Sequence, residues 1–304
     1  MWIFQIKKDK MKVVIFGSRF QSEKLIQVLH VFQVLRNYDV EVYVCKSFYD
    51  FLSTVMNDPP VVSGIIDNES FDADFALSIG GDGTYLRTAH NILNKGIPIV
   101  GINTGRLGFL ADVESVEIED LLKDLIKHHY KITEHRLLKL KVDGEYFTQI
   151  PCALNEVAFL KRDSSSMINI HVTVNGEYLN GYQADGLIVG TPTGSTAYAL
   201  SVGGPIIMPG NRSLLIAPVA PHNLTVRPII VDDKAIIDLG IESRSHSFLV
   251  SLDGNSFTMP CSAKLQVSLA DFTIRAVKRH NHSFTQTLRK KLMWGVDPRD
   301  DSGL

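Results

Sequence analysis

Residues 77–87 read LSIGGDGTYLR, in which an apolar run gives way to three glycines around a single aspartate, Asp82. The run at 75–79 predicts a buried strand, and residues 84–93 predict a helix that begins directly after the glycines. Ligands of α/β folds bind at the carboxyl ends of parallel strands, which is where this turn would lie. The stretch therefore predicts an α/β fold with a ligand site at Asp82.

The charge of Asp82 has two explanations. Aspartate is a good helix N-cap and would then be purely structural, although Thr84 is also able to cap this helix. Alternatively, a carboxylate left free among glycines can orient a hydroxyl, accept its proton or hold a metal ion. The glycines would let a phosphate or ribose approach the main chain. Arg87 together with Mg²⁺ would then offset the repulsion between that phosphate and Asp82.

Two common nucleotide signatures are missing from the sequence. The dinucleotide pattern GxGxxG needs a glycine where Leu86 stands, and GxxxxGK[ST] does not occur. A dehydrogenase built on the first pattern is therefore a poor match.

The first 130 residues alternate strand-like and helix-like segments, as in stacked β-α units. The predicted strands are 12–16, 40–45, 75–79 and 97–102, and the predicted helices are 23–35, 47–56, 84–93 and 117–128. Residues 57–74, which are rich in prolines, acids and serines, are predicted to be a loop.

After about residue 133 the apolar residues recur with period two, which predicts a sandwich or a pair of packed sheets. The predicted strands are 135–142, 147–160, 167–174, 187–190, 214–218, 235–241, 248–252 and 264–277. Asn175-Gly176 predicts a hairpin turn, and one helix is predicted around 196–202. The sequence thus predicts an α/β N-terminal domain with a mainly parallel sheet at 11–134 and a mostly-β C-terminal domain at 135–282. A tail, 283–304, is expected to pack back on the first domain.

The overall composition excludes several classes of protein. With 31 basic against 33 acidic residues, the chain has no broad electrostatic field for nucleic acid or an anionic membrane. No apolar run approaches the ~20 residues of a membrane helix, and the N-terminal MWIFQIKKDK lacks the charge-then-apolar order of a signal peptide. The spacing of Cys45, Cys152 and Cys261 matches neither a zinc site nor a disulfide framework. We expect a cytoplasmic protein that binds neither nucleic acid nor membranes.

Residues 184–204, ADGLIVGTPTGSTAYALSVGG, form a second candidate site. A buried strand ends in a turn that gathers hydroxyl and backbone N–H groups at a helix start, as an anion or ribose site requires. The hydroxyl-bearing residues are Thr191, Thr193, Ser195 and Thr196. An ordinary capped helix start would need fewer hydroxyls. Asp185-Gly186, at the other end of the strand, repeats the acid-before-glycine pattern, although it could be only a turn.

A third candidate is Asn155-Glu156, an amide beside an acid that interrupts an apolar run. Asparagine can both donate to and accept from a base edge or a ribose hydroxyl. A strand-end bulge or turn explains the pair equally well on local grounds.

These three clusters, in this order and across the change from α/β to β, resemble the motifs of the NAD kinase (ATP-NAD kinase) family. Residues 80–84 are similar to its GGDG motif, Asn155-Glu156 to its NE/D motif, and residues 185–198 to its DG…TPTGSTAY signature. Lipid kinases and phosphofructokinases also resemble GGDG, whereas TPTGSTAY behind DG is specific. The resemblance covers most of residues 11–280 and implies the two-domain NAD kinase/diacylglycerol kinase-like architecture.

The resemblance implies transfer of the γ-phosphoryl group of ATP to the 2′-hydroxyl of the adenosine ribose of NAD, with NADP as product. Asp82 corresponds to the family's proton acceptor. An aspartate of ordinary pKa ~3.9 is a poor base toward an alcohol, so orientation of the hydroxyl and metal binding matter more than proton removal. ATP and NAD are then the substrates. The cofactor is a divalent cation, with Mg²⁺ expected, although the sequence identifies no metal ligand.

By the same resemblance, NAD contacts fall in both predicted domains. The implied contact residues are Asp82, Gly83, Arg87, Asn155, Glu156, Asp185, Thr193, Thr196, Ala197, Tyr198, Ala199, Leu200, Ser201, Ala220 and Asn255. Asp185 would contact the nicotinamide end, and residues 196–201 would close around the dinucleotide. Gln183 stands where many bacterial relatives have arginine, and Ser166 stands where some have histidine, so potential positive charge is missing at both positions. The family also implies a homodimer or homotetramer whose sites are completed by a neighbouring subunit.

Two other functions fit part of the pattern. A lipid kinase of the diacylglycerol type shares the two-domain plan and the GGDG turn, but the hydroxyl-rich turn after Asp185 favours a polar dinucleotide. A non-catalytic NAD(H) sensor would bind the dinucleotide without needing the charge of Asp82.

Overall fold

The structure, a computed structural model, describes residues 10–18, 24–67, 70–105, 107–163, 167–280 and 282–295. The chain divides into two compact units, residues 1–133 with 275–304 and residues 134–274. The predicted helix start at Glu23, the departure at Ser166, and the two ends of the chain, 1–9 and 296–304, lie outside the described residues.

The first unit alternates strands and helices. Its strands up to residue 130 are β1 (Met11–Gly17), β2 (Val40–Cys45), β3 (Gly64–Ile66), β4 (Phe75–Gly80), β5 (Ile99–Asn103) and β6 (Val113–Glu114). Its α-helices over the same range are α1 (Leu25–Asn37), α2 (Lys46–Val55), α3 (Asp82–Ile92) and α4 (Ile118–Ile126). Residues 57–74 are therefore not entirely a loop as predicted, because β3 pairs with β2 there.

The sheet of this unit is parallel, with the strand order β3-β2-β1-β4-β5 and β6 beside β5. The strand order reverses between β1 and β4, because β2 and β3 extend one side of β1 whereas β4 and β5 extend the other. Open α/β sheets bind ligands at the carboxyl ends of the strands that flank such a switch point. The GGDG turn follows β4 and therefore lies at this point.

Both faces of the parallel sheet are covered, which accounts for its continuous apolar runs. Residues 13–16 of β1 are at most 5% exposed, and every residue of β4 is buried. One hydrophobic cluster joins the strands to α1, α2 and α4 through side chains such as Val31, Phe48 and Leu121. Helix α3 packs on β4 and β5, and its Tyr85, Ala89 and Ile92 are buried.

The second unit is built almost entirely of strands. They are β7 (Lys131–Val142), β8 (Glu145–Tyr146), β9 (Glu156–Lys161), β10 (Ile168–Val174), β11 (Glu177–Ala184), β12 (Gly186–Gly190), β13 (Ser213–Val219), β14 (Ile229–Asp232), β15 (Ile237–Glu242), β16 (Ser247–Leu252), β17 (Asn255–Pro260) and β18 (Leu265–Lys278). The first residues of β7 and the last residues of β18 belong to the first unit. A short helix, α5 (Tyr198–Ser201), follows a 3₁₀ turn at Thr193–Thr196.

Two antiparallel layers enclose the core of this unit. One has the order β14-β13-β12-β9-β16-β17, and the other runs β11-β10-β15-β18. Side chains from the first layer, such as Phe159 and Val189, share a cluster with Ile170 and Leu239 from the second. The predicted fold class, an α/β domain followed by a mostly-β domain, is confirmed.

Some strands of this unit escaped the sequence pattern. β9 begins only at Glu156, so the strand predicted over 147–160 is too long, and β11, β14 and β17 were not predicted. β14 and β17 are edge strands with mostly exposed residues, so they carry no strict apolar alternation. The predicted hairpin is confirmed, because Asn175 and Gly176 join β10 to β11 with φ of 52° and 82°.

The C-terminal segment returns to the first unit. Ala276 of β18 pairs in parallel with Ile99 of β5, and the chain then forms α6 (Phe284–Leu292). Ser283 begins α6 with a reciprocal capping box, in which its hydroxyl accepts from the Gln286 N–H and its own N–H donates to the Gln286 side chain.

Charge pairs fix the segment just before α6. Lys278 donates to Asp112 at 2.6 Å. The Arg279 side chain, which is 10% exposed, donates to Glu117 and Asp124 at 3.0 Å each. Because the guanidinium group of Arg279 is planar and almost desolvated, its hydrogen bonds fix the conformation of the segment that leads into α6.

Among the helices formed by the described residues, none is both long and apolar enough to cross a membrane.

We predict that Arg279→Met lowers the free energy of unfolding by about 1–3 kcal/mol, because Glu117 and Asp124 lose a nearly buried donor. Chemical denaturation of the full chain measures the loss. Arg289→Met, at an exposed position of α6, is the matched control and is expected to stay within about 0.5 kcal/mol of the parent protein. Equal losses for the two variants would contradict the structural importance of the Arg279 pairs.

Candidate active site

Asp82 is the first residue of α3, at the switch point of the parallel sheet. The N-cap of α3 is Gly81, and no side chain caps the helix. The alternative explanation of Asp82 as a helix N-cap is therefore wrong, and Thr84 does not cap the helix either. The carboxylate of Asp82 instead accepts hydrogen bonds from another segment of the same unit.

The carboxylate of Asp82 holds the loop that follows β5. Its Oδ1 accepts from the backbone N–H groups of Leu110 and Ala111, at 3.0 Å each. Its Oδ2 accepts from the N–H of Phe109 at 3.0 Å and from Lys291 Nζ at 3.2 Å. The sequence-based expectation of a free, unshielded carboxylate is therefore wrong, because three consecutive backbone donors and an ammonium group surround it.

The loop itself, NTGRLGFLA at 103–111, was missed by the sequence analysis. Gly108 permits the approach, because a Cβ at this position would lie 2.0 Å from Asp82 Oδ1. The Asn103 side chain braces the loop by donating to the Ala111 carbonyl at 3.3 Å and accepting from the Gly105 N–H at 2.5 Å. The available signal was a second glycine-rich turn after a predicted parallel strand, at the same edge as GGDG.

These contacts determine the charge state of Asp82. Burial alone would raise its pKa, but the N–H groups of Ala111, Phe109 and Leu110 and the charge of Lys291 outweigh burial and place the pKa below the ordinary aspartate value. Asp82 is therefore a fully ionised acceptor at neutral pH and a weak base.

The other two implied NAD contacts of this unit, Gly83 and Arg87, lie on the first two turns of α3. Gly83 is exposed, and a Cβ there would meet nothing within 4 Å. Arg87 is also exposed, and its guanidinium donates to the Thr84 hydroxyl at 3.2 Å. The helix therefore presents an open surface and a cation beside Asp82.

In the second unit, Asp253 holds the Asn155-Glu156 turn in the same manner. Its carboxylate accepts from the backbone N–H groups of Leu154, Asn155 and Glu156 at 2.7, 2.8 and 3.2 Å. Asp253 lies in the turn between β16 and β17 with φ of 47°, and the sequence analysis did not single it out. The Asp-Gly pair at 253–254 was the available signal, since such pairs favour tight turns.

Glu156 has the opposite environment from Asp82. The residue is 8% exposed, and its Oε2 is buried with no hydrogen-bond partner in the described structure. Burial, with the charge of Asp253 adding to it, raises the pKa of Glu156 to about 8. The side chain is therefore largely protonated at neutral pH and able to donate a hydrogen bond.

The TPTGSTAY turn packs directly on the Asn155 turn. Thr191 donates its N–H to the Asn155 carbonyl at 2.9 Å and its hydroxyl to the Leu154 carbonyl at 2.6 Å. Gly194 leaves room for this contact, because a Cβ there would lie 2.0 Å from the Asn155 carbonyl oxygen. The second and third sequence clusters are thus brought together.

Most hydroxyls of this turn are used within it. The hydroxyls of Ser195, Thr196 and Ser201 donate to carbonyls three residues earlier, at 2.6, 3.3 and 2.8 Å. The Thr193 hydroxyl differs, because it bonds Nδ1 of buried His135 at 2.9 Å. The sequence analysis did not identify His135, since a lone histidine in an apolar strand carries no motif.

The remaining implied contacts lie near opposite ends of β12, with Asn255 at one end and Asp185 and Ala220 at the other. Asn255, in the hairpin of Asp253, lies near Asn155, since Leu252 pairs with both Asn255 and Val157. Asp185 precedes the opposite end of β12, where its N–H donates to the Val219 carbonyl next to Ala220. The structure therefore separates Asp185 and Ala220 from the Asn155 turn by the length of β12, roughly 16 Å at 3.3 Å per residue.

Side-chain exposure varies among the implied contacts of the Thr193–Ser201 segment. Tyr198 is exposed, Thr196, Ala197 and Leu200 are half-buried, and Ala199 is fully buried in a hydrophobic cluster with Ile188. Asp185 pairs with Lys161 at 2.6 Å, and the carbonyl of Gln183 accepts the N–H of His222. Tyr198 and Ser201 are thus the exposed side chains of α5.

Known protein families match this chain over the residues that contain the three motifs. Residues 15–130 match the family model for the ATP-NAD kinase N-terminal domain, and residues 154–278 match that for the ATP-NAD kinase C-terminal domain. An NAD kinase from Bacteroides fragilis is 50% identical over 289 residues, covering 95% of this chain and 100% of that protein. An NAD kinase from Porphyromonas gingivalis is 42% identical over 288 residues, covering 95% and 99%.

Two solved structures have a similar fold. An NAD kinase from Archaeoglobus fulgidus, in complex with ATP, has a TM-score of 0.69 and 26% identity, covering 94% of this chain and 98% of that one. A yeast NADH kinase complexed with NADH has a TM-score of 0.84 at 23% identity, covering 96% and 90%.

We predict that Glu156→Gln becomes progressively more stable, relative to the parent protein, as the pH rises from about 5 to 8. The ordinary pKa of 4.5 applies to the unfolded chain and about 8 to the folded one, so between these values the folded protein keeps a proton that the unfolded chain releases. Raising the pH therefore destabilises the parent fold, by up to about 1.4 kcal/mol per pH unit. The variant lacks this dependence.

Urea denaturation at several pH values measures the difference. Glu177→Gln, at an exposed hairpin position, is the control and should leave the slope unchanged. A parallel pH dependence in the parent protein and Glu156→Gln would disprove the raised pKa.

Proposed function

This chain belongs to the ATP-NAD kinase family, and on that basis we propose that it transfers the γ-phosphoryl group of ATP to the 2′-hydroxyl of the adenosine ribose of NAD, forming NADP. The observation that carries the proposal is that both family models match, over the residues that contain the GGDG, NE and TPTGSTAY motifs. Near-complete relatives at 50% and 42% identity carry the name NAD kinase. No match described above supports a lipid kinase or a non-catalytic sensor.

Asp82 is proposed to orient the acceptor hydroxyl. A carboxylate whose pKa lies below the ordinary value is a weak base, so early removal of the hydroxyl proton is not its main contribution. Phosphoryl transfer passes through a loose transition state in which positioning supplies most of the catalysis. A carboxylate fixed by three N–H groups has the rigidity that positioning requires.

The remaining NAD contacts are proposed at the residues that the family resemblance implies. The Asn155-Glu156 turn offers an amide and a neutral acid, and Thr193 offers a hydroxyl oriented by His135. Gly83 and Arg87 offer an open surface and a cation for the diphosphate. Asp185 and Ala220 lie at the far end of β12, so we propose that they contact the opposite end of the dinucleotide or a dinucleotide bound to a neighbouring subunit.

The divalent cation is proposed to be Mg²⁺ bound to ATP. The described residues include no group of three or more His, Cys, Asp or Glu side chains placed to hold a metal ion. Side chains of the described residues therefore do not form a complete cage. Magnesium that serves phosphoryl transfer is commonly held by substrate phosphates with one or two carboxylates, and it neutralises charge on those phosphates.

We further propose a homodimer or homotetramer in the cytoplasm. β14 lies at the edge of its sheet, and its Ile229 and Ile230 are 37% and 49% exposed. An exposed apolar edge strand is a surface that proteins commonly cover by association.

The direct test is incubation of the purified protein with Mg²⁺-ATP and NAD, with NADP detected by an NADP-specific dehydrogenase. NADP formation that depends on both substrates is the expected result. Phosphorylation of a lipid with no NADP formed would favour the diacylglycerol-type alternative.

We predict that Asp82→Asn lowers kcat about 100-fold or more while the Kd for NAD changes only a few-fold. Asp253→Asn is the matched variant, because it also places an amide group against three backbone N–H donors. It disturbs the turn proposed to bind NAD, so it should chiefly raise the KM for NAD. Thermal unfolding of both variants measures the shared structural cost.

Equal losses of kcat in the two variants would show that Asp82 acts only by holding its loop. Full turnover by Asp82→Asn would support the non-catalytic role of this charge.

A further inference from the structure

Helix α6 brings one cation onto Asp82. The side chains of Lys291 and Asp82 are 32% and 30% exposed, and the two groups approach to 3.2 Å. The same ammonium group lies 4.5 Å from the centroid of the Phe109 ring, and Phe109 in turn contacts Phe284 at the start of α6, with ring centroids 6.0 Å apart. The helix is therefore docked at both of its ends against the loop that Asp82 holds.

The acceptor capacity of Asp82 gives this contact its significance. An ionised carboxylate has about four lone-pair positions. Oδ1 already accepts two backbone N–H groups, and Oδ2 accepts the Phe109 N–H and Lys291. The three backbone bonds are part of the folded loop, whereas the bond to Lys291 comes from a flexible side chain. The position occupied by Lys291 is thus the one that an incoming hydroxyl can take.

We propose that Lys291 occupies the last acceptor position of Asp82 Oδ2 in the free protein and is replaced there by the acceptor hydroxyl of NAD. This inference rests on the proposed function. A lysine suits the exchange, because its single ammonium on a four-carbon stem can leave the carboxylate and stay within the site. In the free protein, it keeps the last acceptor position of the ionised Asp82 paired.

Arginine and methionine at position 291 would differ from lysine in the hydrogen bonds that they can donate to Asp82 Oδ2. Arginine would offer a planar fork that can bind a carboxylate through two donors, so it would hold Oδ2 more firmly than lysine does. Methionine has a similar length but no donor, so it would leave Oδ2 open. The side chains of Lys291 and Asp82 are partly exposed, so solvent and salt screen their charges. The exchange of hydrogen bonds, rather than long-range charge, therefore decides how each substitution changes NAD binding.

The experiment measures NAD binding by calorimetry at physiological salt, without ATP, for Lys291→Arg and Lys291→Met. We expect Lys291→Arg to bind NAD about five- to tenfold more weakly, although its thermal stability is retained. Lys291→Met should bind NAD as tightly as the parent protein or a few-fold more tightly. Lys290→Arg and Lys290→Met, at the adjacent exposed position, are the controls and should change the Kd less than twofold.

A second comparison tests whether the effect passes through Asp82. In an Asp82→Ala background, Lys291→Arg should no longer weaken NAD binding. Parent-like NAD binding by Lys291→Arg, or equal weakening by arginine and methionine, would overturn the proposal and leave the ion pair a purely structural contact. Absence of NADP formation by a parent protein that binds NAD would instead refute the proposed function, so the two failures can be told apart.

Discussion

A carboxylate that accepts three consecutive backbone N–H groups is the interaction on which each candidate site depends. Asp82 does this for residues 109–111 in the first unit, and Asp253 does it for residues 154–156 in the second. An irregular segment has no ladder to satisfy its N–H groups, and leaving them unpaired costs about 1–3 kcal/mol each when they are buried. One ionised side chain removes this cost at three positions and fixes the segment in space.

The same arrangement limits the chemistry that Asp82 can perform. Donors that stabilise the carboxylate lower its affinity for a proton, so the contacts that make it rigid also make it a weak base. A reaction that required full deprotonation of an alcohol before bond formation would be poorly served. Transfer of a phosphoryl group is better served, because a loose transition state depends on alignment of the hydroxyl more than on early proton removal.

The sequence predicted where the candidate residues lie along the chain better than it predicted their partners. The strand before GGDG and the change from α/β to β follow from short-range patterns. The partners of Asp82 lie 27–29 residues away in sequence, with Lys291 209 residues away, and those of Asp253 lie 97–99 residues away. No local pattern encodes such pairings, which is why Asp82 was expected to be free and Asp253 was not singled out. The edge strands β14 and β17 were missed for a related reason, since exposed strands lose the alternation that reveals buried ones.

Asp82 and Glu156 show how one functional group can acquire two roles. Both are carboxyl groups in confined surroundings, and burial disfavours the charged form of each. Asp82 receives N–H donors and a cation, so its charge is retained and it can only accept hydrogen bonds. Glu156 has a buried oxygen without a hydrogen-bond partner among the described residues and the negative Asp253 as a neighbour, so its proton is retained and it can donate. A hydroxyl can both donate and accept, so an ionised acid is suited to a hydroxyl that donates and a protonated acid to one that accepts. The donor set around each carboxyl group, rather than the residue type, therefore determines whether that acid accepts or donates a hydrogen bond.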